Sequence, residues 1–259
     1  MKAIYKRELA SYFRSPVGWI VITLFVLLGG FYFSFAMQSS LSVDIGSEIL
    51  WLEPVFFIVI PLITMRLFSE EKKNGTEVLL FTSAVPLYKI VLGKYLAALS
   101  LIGIMLSSSI LHIILVAVMG GLLNASTLGA YIGFVLLAAV FISIGLMASA
   151  LTENQIIAAV VSIVIILFTA LLSLIASAVE SIFVSTASMS NFLNLSSESI
   201  NKAGENIARA INWFDPFART NSFSLGIFSI SPLVFCLSQV ALFLYITYRI
   251  LEKRRWSQS

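Results

Sequence analysis

The chain of 259 residues is 59 % hydrophobic and 11 % charged, with a mean hydropathy of +1.00 and a net charge of +3. Soluble domains are about a quarter charged, so this reads as an integral membrane protein, one bundle of several helices with little left over for a separate soluble domain. One cysteine, Cys236, and one histidine, His112, exclude an internal disulfide framework, a thiolate metal site and any two-histidine metal motif.

Residues 1–16 carry Lys2, Lys6, Arg7 and Arg14, too closely spaced for a span. Tyr5, Leu9, Tyr12 and Phe13 fall on one helical face with Arg7 and Arg14 opposite, which predicts a helix lying in the membrane interface. Pro16 ends it or opens the next helix. Residues 17–37 form the first expected span, its apolar run too long for a signal-peptide core. Residues 49–67 form the second, interrupted by Glu53-Pro54 and Pro61. The third is expected over 90–119, the fourth over 128–151 with Gly129 and Gly133 in G-x-x-x-G spacing, and the fifth over 155–179 after the tight turn Thr152-Glu153-Asn154. The sixth runs over 232–250, leaving EKRRWSQS as a tail.

The long loop 180–231 is expected to be partly helical and to fold back on the bundle or dip into the outer leaflet. Ile200, Ile207, Ile211 and Phe214 recur at helical spacing, Glu205 and Arg209 form an i,i+4 pair, and Asp215-Pro216 stops the helix. With both termini cytoplasmic, all 16 Lys and Arg lie inside except Lys202, Arg209 and Arg219, which satisfies the positive-inside rule. The fold class is therefore an all-α membrane protein of six spans in the cytoplasmic membrane.

The cytoplasmic loop 69–89 is unusual in being charged at its edges and apolar at its centre, Val78-Leu79-Leu80-Phe81. Gly75 can take the left-handed conformation that ends a helix, Thr76 can cap a following one, and Glu77 suits a helix N-terminus. The expected product is a two-turn helix, Glu77 to Thr82, resting on its own bundle or on headgroups, or buried by a partner.

The run Glu71-Lys72, Gly75-Thr76, Leu79-Leu80, Thr82-Ser83, Pro86, Ile90 and Gly93-Lys94 resembles the cytoplasmic loop after the second span of type-2 ABC transporter permeases. The turn with Ser149, Leu151-Thr152-Glu153-Asn154-Gln155 and Ala158-Ala159 resembles that between their fourth and fifth spans, particularly in the gliding-motility and nitrous-oxide-reductase-maturation branches of bacteria. The likeness covers the whole chain, with one departure: Thr220 stands where the gliding-motility branch has glycine. It implies a dimer with a second copy or close paralogue, and a separate ATP-hydrolysing subunit, carrying ATP and Mg, docked on the loop. Val78, Leu79, Leu80 and Phe81 would then be buried, with Glu70, Glu71, Lys72, Lys73, Gly75, Thr76, Glu77, Thr82 and Glu153 completing the contact. Extracytoplasmic accessory proteins are further expected partners, and nucleic acid is not.

The chain itself is not expected to hydrolyse ATP or bind a cofactor. Gly93-Lys94 has Tyr88 and Tyr95 where a phosphate loop needs glycine and Ser or Thr. Glu53 and His112 are candidate pathway residues; the plainer expectation keeps Glu53 near the outer interface, snorkelling with Glu48, and gives His112 one interhelical hydrogen bond. An ion-coupled secondary transporter and a membrane scaffold without transport activity are the alternatives.

Overall fold

The computed structural model describes residues 1–39, 44–78, 85–119, 124–190 and 197–257. These residues are almost all helical: α1 Lys2–Arg14, α2 Pro16–Ser39, α3 Ile45–Leu52, α4 Phe56–Thr64, α5 Arg66–Lys73, α6 Leu87–Ser107, α7 Ile110–Val118, α8 Ala125–Leu151, α9 Gln155–Ala170, α10 Leu172–Ser190, α11 Ser197–Asn212, α12 Pro216–Ser224 and α13 Ile230–Ser257. Among the described residues five runs are long and apolar enough to cross a membrane, and α9 with α10, bent by 45°, makes a sixth if the pair is one span. The protein is a multi-pass membrane protein.

Helix α8 is the axis of the bundle. Of its most apolar stretch 83 % is buried, against 22 % for Pro16–Gln38, and α3, α4, α6, α9, α12 and α13 all pack on it. Phe134 and Phe141 of α8 are fully buried, with Phe56 of α4 lying 4.2 Å from the Phe134 ring.

The second span is a broken rod. Pro54 sits in a 3-10 turn, Glu53–Val55, and Pro61 lies inside α4, each removing a backbone donor. At the break between α4 and α5, Ser149 of α8 accepts from the amides of Phe68 (3.0 Å) and Ser69 (3.2 Å) and donates to the Met65 carbonyl (2.9 Å). One hydroxyl thus satisfies three backbone groups that a regular helix would have paired internally. The third span breaks at Ser108 and Ser109, whose hydroxyls bond back to Met105 and Leu106, the local competition that bends helices.

Several expected boundaries move. The second span starts at Ile45 rather than 49, because Asp44 caps it by accepting from Gly46 N at 3.1 Å. Its helix continues through Glu70 and Glu71 to Lys73, into the expected loop. The tail is helical: α13 extends through Glu252, Arg254 and Trp256. Asp215-Pro216 ends one helix and also starts α12, which was not foreseen; Asp215 Oδ1 accepts from Phe217 N at 2.8 Å and proline occupies the first turn.

The segment after the fifth span does fold back on the bundle. Helix α11 packs along α10, and α12 lies against α8 over Gly129 and Gly133. A Cβ on Gly129 would stand 1.7 Å from the Phe223 carbonyl oxygen, whereas one on Gly133 would make ordinary contact, 3.4 Å from Thr220 O. The glycine pair is a seat for α12 of the same chain.

Candidate functional site

Five parts of the chain converge at one end of the bundle: α1, the α5 end, the α6 start, the α8–α9 turn and the end of α13. Lys94, about two turns into α6, is the hub, with its side chain 1 % exposed. Its ammonium donates to the Leu67 carbonyl (2.6 Å) and pairs with Glu8 (3.2 Å) and Glu71 (2.9 Å). Three donors meet three acceptors, the condition for burying a lysine. The Phe68 ring lies 5.1 Å beneath the charge.

Arg7 closes the cluster from the solvent side, bonding Glu8 at 2.7 Å and Glu71 at 2.8 Å. The hydrogen bond from Arg7 to Glu8 raises the guanidinium pKa further above its usual range. Helix α1 is anchored further along its length as well. The buried Tyr12 hydroxyl donates to Ile63 O at 3.0 Å, and burial raises its pKa. Arg66 donates to the Ser15 hydroxyl (2.7 Å) and the Ser11 carbonyl (3.1 Å). The buried residues of α1 are Tyr12, which belongs to the expected stripe, and Glu8, which does not.

The expected docking loop begins in this setting. Helix α5 ends where Gly75 takes φ +69°, and Thr76 turns its hydroxyl back to the Glu71 carbonyl at 3.2 Å. Glu77 and Val78 start a new helical turn; Leu79, Leu80, Phe81 and Thr82 lie outside the described residues. Glu77 is buried, 3.7 Å from Arg254 of α13, and Arg254 also donates to Leu151 O at 2.9 Å. Lys72 pairs with Glu153 at 2.9 Å, joining α5 to the α8–α9 turn, and that bond pulls the Glu153 carboxyl below its ordinary pKa. Glu70 is exposed.

The structure therefore gathers Glu71, Lys72, Glu77 and Glu153 at one end, with Glu71 turned inward. Arg7, Glu8, Lys94 and Arg254 were not among the site residues expected from the sequence. Two had a signal: Glu8 is the only acid in a basic helix, and Lys94 is a charge inside an apolar run.

The candidate pathway residues lie elsewhere. Glu53 is half-buried in its 3-10 turn. His112 makes an interhelical bond from α7 to α3, Nδ1 to Glu48 Oε1 at 2.7 Å, and stacks on Phe33 with ring centroids 4.3 Å apart. Glu48 does not snorkel: it is 1 % exposed, because the earlier helix start at Asp44 draws it one turn inside.

The family model described as "ABC-2 family transporter protein" matches residues 2–256. The chain belongs to the ABC-2 transporter family. No curated protein matches it. An ABC-2 chain is the permease of an ABC transporter, a membrane subunit that is typically non-enzymatic and works with an ABC ATPase subunit.

Proposed function

We propose that this ABC-2 permease couples ATP hydrolysis by a separate nucleotide-binding subunit to export or extrusion of a substrate, or to force transmission, across a bacterial cytoplasmic membrane. Two copies, or one copy and a close paralogue, form the membrane unit, with both termini on the cytoplasmic side. The gliding-motility branch is the reading the sequence resembles most.

The observation that carries this is the junction at the basic end. The segment that opens with Glu77 and Val78 leaves a helix, α5, that is ion-paired to α1, α6 and the α8–α9 turn. Force applied to that segment by an ATPase cleft reaches the second and third spans through Glu71 and Lys94. Leu79, Leu80 and Phe81 supply the buried contact, with Glu70, Lys72 and Lys73 as its polar rim.

The test is purification of the full chain with its native partners. A nucleotide-binding subunit should co-purify, and Leu79→Asp with Leu80→Asp should release it while the permease stays folded. Retention of the ATPase by that double variant would sink the reading.

A further inference from the structure

At the end of the bundle remote from Lys94, Glu48 is a buried carboxylate with work to spare. One oxygen, Oε1, is taken by His112 Nδ1. The other, Oε2, is buried and makes no hydrogen bond among the described residues. The Glu48 side chain borders a cavity of about 270 Å³ between α2, α3 and the α6–α7 break.

The lining decides what fits. Ser107 and Ser108 also face the cavity. Their hydroxyl protons are committed to Ile104 O (2.6 Å) and Met105 O (2.7 Å), so each offers lone pairs. With the Glu48 carboxylate these groups are acceptors, and among the described residues no lysine or arginine lines the cavity. Anions therefore find no counter-charge beyond the His112 ring, whose Nδ1 is already engaged. A divalent cation wants six or more oxygen ligands, which three side-chain oxygens amid Phe25 and Leu111 do not supply. The mouth is apolar and opens on the bundle's flank: Val26 is 42 % and Leu111 61 % exposed. Drug-sized ligands fill about 300–1,000 Å³, so the volume suits a head group whose apolar body stays outside.

We propose that this cavity binds the primary ammonium group of an amphiphilic amine, with Glu48 as its counter-ion and the Ser107 and Ser108 hydroxyls as its remaining acceptors. An ammonium carries three donors, matching the Glu48 carboxylate and the two hydroxyls. Its alkyl body leaves between Val26 and Leu111 into the apolar surroundings. This goes beyond the permease reading and needs no ATPase subunit, so its failure leaves that reading untouched.

The experiment uses the full chain in phosphatidylcholine nanodiscs with dodecylammonium as probe. Wild type should bind it; Glu48→Gln, which keeps an acceptor for His112, and Val26→Trp, which blocks the exposed mouth with the charge intact, should each weaken binding at least tenfold. Glu198→Gln, on the exposed face of α11, should leave it unchanged. Dodecanoate should not compete. A second arm identifies the source: phosphatidylethanolamine retained by wild type in native mass spectrometry and lost in Glu48→Gln marks a lipid head group, and its absence alongside dodecylammonium binding marks a free amine. Equal binding by wild type and Glu48→Gln, or association of neither amine with wild type, overturns the proposal.

Discussion

Lys94 Nζ lies 3.2 Å from Glu8 Oε1, across 86 positions of sequence, at a point where the lysine is 1 % exposed. The N-terminal helix is thereby fixed to the third span by a buried charge, and Glu71 fixes the second span to the same charge at 2.9 Å. These three helices should move together. Removing one partner of such a cluster leaves an uncompensated buried charge, at a cost of about 3–5 kcal/mol. Lys94→Met is therefore expected to lose stability of that order, leaving Glu8 and Glu71 facing each other with only Arg7 between. The triple replacement Lys94→Met, Glu8→Leu, Glu71→Leu should recover much of it, since apolar packing can replace a buried ionic set. Unfolding of the purified variants in mixed micelles checks both; equal losses for the single and triple variants would refute the argument.

The packing of α12 on α8 gives a sharper contrast. A methyl on Gly129 collides with backbone at 1.7 Å, which no rotamer change relieves, while one on Gly133 meets Thr220 O at 3.4 Å. Overpacking typically costs about 1–3 kcal/mol. Gly129→Ala is expected at or above the top of that range and Gly133→Ala below its bottom. Unfolding midpoints of the two variants measure the difference, and indistinguishable values would mean that α12 does not sit on this face.

How much of this was legible in the sequence follows from the range of each interaction. The apolar runs and the left-handed Gly75 are local, and they were readable from composition and spacing. The basic-end cluster was half readable: the positive-inside pattern assembled its charges on one side, but Glu8 and Lys94 are joined only by the fold. Glu48 was misplaced for a local reason, since Asp44 competes with Ile49 as the helix start and wins by capping Gly46. Helix α12 was missed because Asp-Pro is both a stop and a start signal, and what chooses is the glycine seat on α8, a whole span earlier in the chain.

The Lys72–Glu153 pair carries a pH dependence with a definite sign. Its hydrogen bond lowers the folded-state pKa of Glu153, so the pair's contribution is fully present above the ordinary glutamate value, about 4.3. It is lost as pH falls through the depressed folded value. Carboxyl carbon NMR of labelled Glu153 should titrate below the ordinary range in wild type and return to it in Lys72→Met. An unchanged midpoint would show that the bond does not hold the turn to α5 in solution.

Gly75 isolates backbone from packing. Its φ of +69° is one that L side chains rarely adopt, yet a Cβ there would meet nothing within 4 Å. Any penalty on substitution is therefore conformational, about 1–2 kcal/mol for alanine in the left-handed region. Asparagine, which tolerates that region, should cost less. Gly75→Ala is thus expected to fray the end of α5, loosening the Thr76 hydroxyl from the Glu71 carbonyl and changing the angle at which Glu77 leaves the bundle. Hydrogen exchange of the amides of Asn74, Gly75 and Thr76, which bond to Glu70, Lys72 and Glu71, should accelerate in the alanine variant and less so in Gly75→Asn. If the alanine and asparagine variants exchange at the same rate as wild type, the turn is held by something other than glycine.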